Sequence, residues 1–334
     1  MATVPPSGRP RLEIPIFGAD SGQVAASLGA LRLELNRAGS YAVGGTTPTL
    51  AELAALVASI PSRQSHGSDD DDDDITVRVM IRPRGAPPPD HQTHQQQPDF
   101  VYSAAEFATM RAGILRFAES GLLRPERGDG FVFGVLQPRT TCSSCEGEVV
   151  GVEVDVKRNA ELVRLAQPFK CVFHRAFDDA VGAGVDDGER RRAAAPAGET
   201  GSSGRDEEEE EEAVALAAVR ACGFDGILTS GGLGNALANV GRLARIAMAV
   251  AAEGDVEIIA GGGVRSGNVG VLGAGLFAAA GSSVSAAAAT AAEDGVWFHS
   301  SCLTAGEDGA EMFDVDEASA LVRELRSLDV RPRK

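Results

Sequence analysis

The chain has 334 residues, 43% of them hydrophobic but only 5% aromatic, so it can bury a sizeable core built mainly from Ala, Val and Leu. Its formal net charge of −17 is concentrated in two runs, six acids at Asp69–Asp74 and seven at Asp206–Glu212, leaving about −4 elsewhere, an ordinary balance for a soluble domain. That balance, with no basic stripe interleaved with aromatics, argues against a nucleic-acid surface. The five cysteines are too scattered for a disulfide framework. Neither a signal peptide nor an apolar run able to span a bilayer is evident, so a cytoplasmic, non-membrane protein is expected.

In chain order, short β-branched runs alternate with segments of helical spacing. Strand Leu12–Phe17 precedes helix Gly22–Leu28, and strand Leu31–Leu35 precedes helix Thr49–Ser59. Strand Ile75–Ile81 is followed by helix Ser103–Ser120, Gly130–Leu136 by Lys157–Ala166, and Lys170–Phe173 by Glu207–Ala221. Gly226–Thr229 with Asn235–Ala252, Val256–Ala260 with Ser266–Ala280, and Gly295–His299 with Asp316–Leu325 complete eight units. Strands separated by helices, without tandem hairpins, call for parallel pairing and right-handed crossovers. Eight such units close into a single α/β (β/α)₈ barrel over residues 12–330. Thr49-Leu-Ala-Glu52 and Ser103-Ala-Ala-Glu106 read as capping boxes at two of the helix starts.

Four segments depart from the pattern: 62–74, 86–98, 140–151 and 182–212. Their low complexity and missing periodicity mark them as surface insertions, with the acid runs as solvated, disordered loop. Without them the chain approaches the roughly 250 residues usual for such a barrel.

A (β/α)₈ barrel builds its site at the C-terminal strand ends. Polar groups crowd those ends here: Glu13 in the first strand, Glu34 in the second, Arg82 and Arg84 after the third, and His174, Arg175 and Asp178 after the fifth. Ser230 follows the sixth, Gly261, Gly262 and Gly263 the seventh, and His299 ends the eighth. Glu34 with Arg82 reads either as a structural ion pair or as part of a ligand site. His174 reads as a hydrogen-bonded core residue or as a general acid–base. Arg82 and Arg84 suit a carboxylate or phosphate clamp, and the triple glycine suits a tight turn or exposed amides for an anion. A metal ion or a small anionic ligand is the expected partner, and a homo-oligomer is compatible with the sequence.

The strings LEIPIFGADS, LRLELN, GGTTPT, VMIRPRG, DFVYSAAEF, FVFGVL, FHRAFD, ILTSGG, IIAGGGV and FHSS occur in an order that resembles the copper-homeostasis CutC family. The resemblance runs from Leu12 to about Ser301 and implies a (β/α)₈ barrel, copper tolerance, a cytoplasmic setting and copper as the bound ion. It also implies Cu(I)-binding cysteines at the ends of the first two strands, in strings of the type E-x-C-V-D-S and E-L-C-S. This chain has Pro15 or Phe17 in the first and Asn36 in the second, so those thiols are missing. An arginine expected after the last strand's serines is also replaced, since Cys302 and Leu303 follow Ser301. Cys142 and Cys145, a C-x-x-C after the fourth strand, are the remaining paired thiols, read either as a soft-metal chelate or as a free loop pair. His91 and His94 lie in a Pro/Gln tract, where histidines are usually incidental. Without the thiols, an enzyme acting on a small anionic substrate is the alternative to copper binding.

Overall fold

The structure is a computed structural model that describes residues 11–60, 74–87, 98–140, 149–182, 203–254, 256–280, 296–305 and 311–329. Most of the four expected insertions, with Cys142, Cys145, His91 and His94, lies outside the described residues.

In chain order the elements run β1 (Leu12–Phe17), α1 (Gly22–Leu28), β2 (Arg32–Asn36), α2 (Leu50–Ser59), β3 (Thr76–Met80), α3 (Ala104–Ala118) and β4 (Gly130–Phe133). A hairpin of β5 (Leu136–Thr140) and β6 (Val149–Val154) leads to α4 (Val156–Ala166), β7 (Lys170–Phe173), α5 (Ala176–Ala180) and α6 (Ser203–Cys222). Then come β8 (Gly226–Thr229), α7 (Val240–Glu253), β9 (Glu257–Ala260), α8 (Ser266–Ala280) and β10 (Val296–His299). A small hairpin, β11 (Leu303–Ala305) with β12 (Glu311–Phe313), and α9 (Val315–Asp329) end the chain.

Eight strands, β1, β2, β3, β4, β7, β8, β9 and β10, pair in parallel and close where β1 meets β10. The alternation in LEIPIF explains the two sides of the wall. Leu12, Ile14 and Ile16 join the main core between barrel and helices, with Leu33, Leu35, Val77, Phe131, Phe173 and Ile227. Inside, Leu31, Met80, Val132, Val172, Leu228, Ile259 and Trp297 form a second, smaller apolar cluster. The remaining inward positions include glycines and charged residues.

Two expectations change. The run Gly130–Leu136 is not one strand: β4 stops at Phe133, and Leu136 opens an antiparallel hairpin. Asn159 causes the break, since its side-chain amide binds both the N–H and the C=O of Val135, at 3.0 and 2.8 Å, and draws that residue off the barrel ladder. The acid run Asp206–Glu212 is not a loop but the first turns of α6. Glu212 is buried there and accepts hydrogen bonds from Arg242 (2.7 Å) and Arg245 (2.8 Å), which offsets its desolvation.

Both capping boxes form. Glu52 accepts from Thr49 N–H and also from Ala38 N–H at 2.8 Å, so the cap fastens α2 to the loop after β2. Replacing Thr49 by Ala is expected to cost about 1 kcal/mol in urea unfolding. An unchanged midpoint would show the loop is held without it.

Candidate functional site

Inside the barrel, a layer of charge lies beneath the mouth. Register places Glu13 beside Arg32 on β2 and beside His299 on β10. Arg32 is buried, bonds Glu13 at 3.3 Å and forks onto Glu257 at 2.7 and 3.1 Å. Its guanidinium lies 3.8 Å above the Trp297 ring, a cation–π contact. Arg78 shares this layer, donating to the Gly128 carbonyl and approaching Glu257 at 4.0 Å. Burial and the neighbouring Arg32 charge push its pKa down to about 10.

Above this layer, Glu13 accepts a 2.7 Å hydrogen bond from His299 Nδ1. Burial opposes charge on both groups, but their hydrogen bond and the surrounding charges prevail: the Glu13 pKa falls and the His299 pKa rises. Glu34 is different. Burial, with the nearby Glu13 charge, raises its pKa against the opposing pull of His299 and Asn36. Asn36 donates to Glu34 Oε1 at 2.9 Å, while Glu34 Oε2 is buried with no partner among the described residues. Donor atoms of Glu13, Glu34 and His299 lie within 4.8 Å of one another.

A cavity of about 230 Å³ opens over this trio at the C-terminal ends of the strands. Of the residues expected at the site, Glu34, Arg82, His174, Arg175, Gly262, Gly263 and His299 line it, with Glu13 directly behind His299. His174 Nδ1 accepts from the Ala176 N–H at 3.2 Å, which leaves the ring proton on Nε2. That Nε2 is buried and without a partner among the described residues. Burial and the Arg82 charge push the His174 pKa down to about 3, so the ring is neutral and offers one donor. Phe100 packs on it with centroids 4.6 Å apart.

The remaining expected residues do other work. Arg82 pairs with Asp99 (2.6 Å) rather than Glu34, and donates to the carbonyls of Val43 (2.6 Å) and Gly45 (2.8 Å). Arg84 is taken up by Glu106 (2.6 Å) and Val101 C=O (2.9 Å) and does not line the cavity. The expected Arg82–Arg84 clamp is therefore committed to holding loops. Asp178 accepts from Ser230 N–H (3.0 Å), Ser230 Oγ (2.8 Å) and Arg175 Nε (2.8 Å), so Asp178 and Ser230 serve to position Arg175. Gly261 N–H stays in the ladder, bonded to Thr229 C=O.

None of the described cysteines reaches the cavity. Cys171, Cys222 and Cys302 are buried, and burial raises all three thiols, Cys222 to about 12 and Cys302 to about 11. Glu257, Arg78, Asp99 and Arg265 were not anticipated at the site. Alternation gave a signal for the first two, since Arg78 falls in phase with Met80, and Glu257 with Ile259, on the inward face.

A CutC family profile matches residues 11–185 and 194–284. The chain belongs to the CutC family. Relatives include a CutC family protein of Treponema denticola, 27% identical over 258 residues (77% of this chain, 74% of that protein). One from Porphyromonas gingivalis is 30% identical over 262 residues (78% and 75%). One from Proteus mirabilis is 32% identical over 168 residues, spanning about half of each chain (50% and 49%). The solved structure of CutC from Streptococcus agalactiae, described as a copper homeostasis protein, is 20% identical with a TM-score of 0.49, covering 86% of this chain and 96% of that one. Within this CutC barrel no described helix is long and apolar enough to cross a membrane.

Proposed function

We propose that this CutC barrel binds a small organic anion at its mouth and exchanges a proton with it through Glu34. The observation that carries this reading is a pair of buried polar atoms, Glu34 Oε2 and His174 Nε2, both without described partners in residues that line one cavity. Orphaned buried polar groups are costly in a folded protein and are explained when a ligand completes them. Glu34, whose pKa is raised by burial and the nearby Glu13 charge, holds a proton more readily than an ordinary carboxyl and is suited to take one up and return it. His174, neutral and fixed by the Ala176 amide, donates a hydrogen bond to the ligand oxygen that gains charge.

Copper homeostasis, the description carried by the Streptococcus structure, is the second part of the proposal. Cu(I) prefers soft sulfur ligands, whereas the described mouth offers no thiolate and a single thioether, Met80, packed in the inner apolar cluster, among carboxylate, imidazole, amide and hydroxyl donors. The mouth residues therefore do not fit Cu(I), and tight Cu(I) binding is assigned to Cys142 and Cys145. A cytoplasmic setting belongs to the same reading, with which the three free described thiols agree.

The test combines two measurements. In D₂O, with α-keto acids and sugar phosphates as probes, the protein should incorporate deuterium into one of these classes. Glu34→Gln should keep binding and lose exchange by about 100-fold or more. In competitive Cu(I) titration, any tight binding should vanish in Cys142→Ser/Cys145→Ser. Tight binding that survives that double change but is lost in Glu34→Gln would overturn the assignment.

A further inference from the structure

We infer that the mouth carries an anion subsite at its β9–β10 corner, formed by Gly262, Gly263, Arg265 and Ser301, and that the ligand is a phosphomonoester of a small organic molecule. The inference rests on the proton-transfer reading and names its substrate class.

Apart from Arg82, which is paired with Asp99 at 2.6 Å, the charged groups of the cavity wall come from strands on opposite arcs of the barrel. Glu34 lies on one side with Glu13 behind, so an anionic group placed there would meet carboxyl oxygens. Arg175 and Arg265 also line the cavity, from the loops after β7 and β9, across the barrel from β2. Arg175 is fixed by Asp178 (2.8 Å) and Ser230 Oγ (2.9 Å), and its guanidinium carbon lies 3.5 Å from where a Cβ on Gly262 would stand. Such a Cβ would also meet Ser230 Cβ at 2.9 Å, so glycine keeps this corner open. Gly262 and Gly263 both hold positive φ, +91° and +76°. Neither amide donates to a described residue, and the Ser301 hydroxyl likewise has no described partner. Arg265 spends Nη2 on the Leu303 carbonyl (2.9 Å), while its Nη1 is buried and without a described partner.

Two amides, one hydroxyl and a guanidinium N–H without described partners therefore belong to residues that line one part of the cavity wall, after β9 and β10. A carboxylate has two oxygens for them and a phosphate monoester three, so phosphate uses the set more fully. The corner follows the seventh and eighth barrel strands, where (β/α)₈ barrels often seat phosphate. With the phosphate there, the uncharged part of the ligand extends toward Glu34 Oε2 and His174 Nε2.

Calorimetric titration of the full chain with inorganic phosphate and with glycerol 3-phosphate tests this. Both should bind saturably, the ester more tightly because it also reaches Glu34 and His174. Arg265→Met should weaken both about tenfold. Ser301→Ala should weaken both less, and Glu34→Gln should leave inorganic phosphate binding intact. Arg265→Lys, which keeps the charge, guards against a folding defect and should recover part of the loss. Affinity unchanged by both Arg265→Met and Ser301→Ala would overturn the subsite. So would binding of α-keto acids without phosphate binding, and that result leaves the Glu34 reading standing. Phosphate binding that responds to Arg265, without any proton exchange, supports the subsite and removes the proton-transfer reading instead.

Discussion

Replacing Arg32 by Met should destabilise the protein by about 3–5 kcal/mol, the usual result of removing one partner from a buried ion pair. Arg32 is 4% exposed and Glu13 1%, and the guanidinium is the link between Glu13 and Glu257. Methionine retains much of the volume and a contact over Trp297, so lost packing accounts for little of the effect. What it leaves is Glu257 without its forked partner, with Arg78 no nearer than 4.0 Å, and Glu13 with His299 as its remaining hydrogen-bonded partner and the Arg78 charge nearby. Reversible urea unfolding near neutral pH measures the loss. The double variant Arg32→Met/Glu257→Gln should regain a substantial part, because it neutralises the carboxylate left without its forked partner. A loss under about 1 kcal/mol would mean that water reaches this layer and screens it, as at a surface.

The same layer shows what could be read in the sequence. The barrel was legible because strand and helix periods alternate eight times, and each barrel strand lies at its expected place in the chain, although β4 ends early. The break at Gly134 and Val135 was not legible, because the side chain that enforces it, Asn159, comes 24 residues later. Periodicity along one segment carries no record of such a partner. The acid run Asp206–Glu212 misled for a related reason. Its composition reads as solvated loop, yet Arg242 and Arg245, some 30 residues further on, supply the charges that Glu212 needs inside α6. At the mouth, position on the barrel placed Glu34, His174, Arg175 and His299 together. It could not say which arginines were already occupied: Arg82 and Arg84 are held by Asp99 and Glu106, while Arg265, unremarked in the sequence, has an Nη1 without a described partner. Residue type states what a side chain is able to bind, and only the fold states what it has already bound.

Glu34→Gln should stabilise the protein by about 1–3 kcal/mol on the alkaline side, because it removes a buried charge whose desolvation is only partly offset. Burial, with the Glu13 charge, lifts the folded-state pKa of Glu34 above its ordinary value of 4.5. The folded protein therefore holds this proton more tightly than the unfolded chain. Its contribution is fully present below pH 4.5 and is lost as pH rises through the folded value, after which a buried carboxylate opposes folding. Glutamine keeps an oxygen for the Asn36 amide and cannot ionise, so the variant should gain on the wild type as pH rises and converge with it in acid. His299 tempers this near neutrality. Glu34 is one of the charges that raise the His299 pKa, so removing it weakens the His299–Glu13 pair until His299 has lost its proton in both proteins. The gain should therefore be clearest above that point. Urea midpoints of the two proteins across pH measure it. A Glu34→Gln variant less stable than wild type at alkaline pH would show that Glu34 is a satisfied structural carboxylate, and would remove the strain that makes it a proton-transfer group. A gain in stability accompanied by lost proton exchange is the signature of a residue retained for chemistry at the expense of the fold.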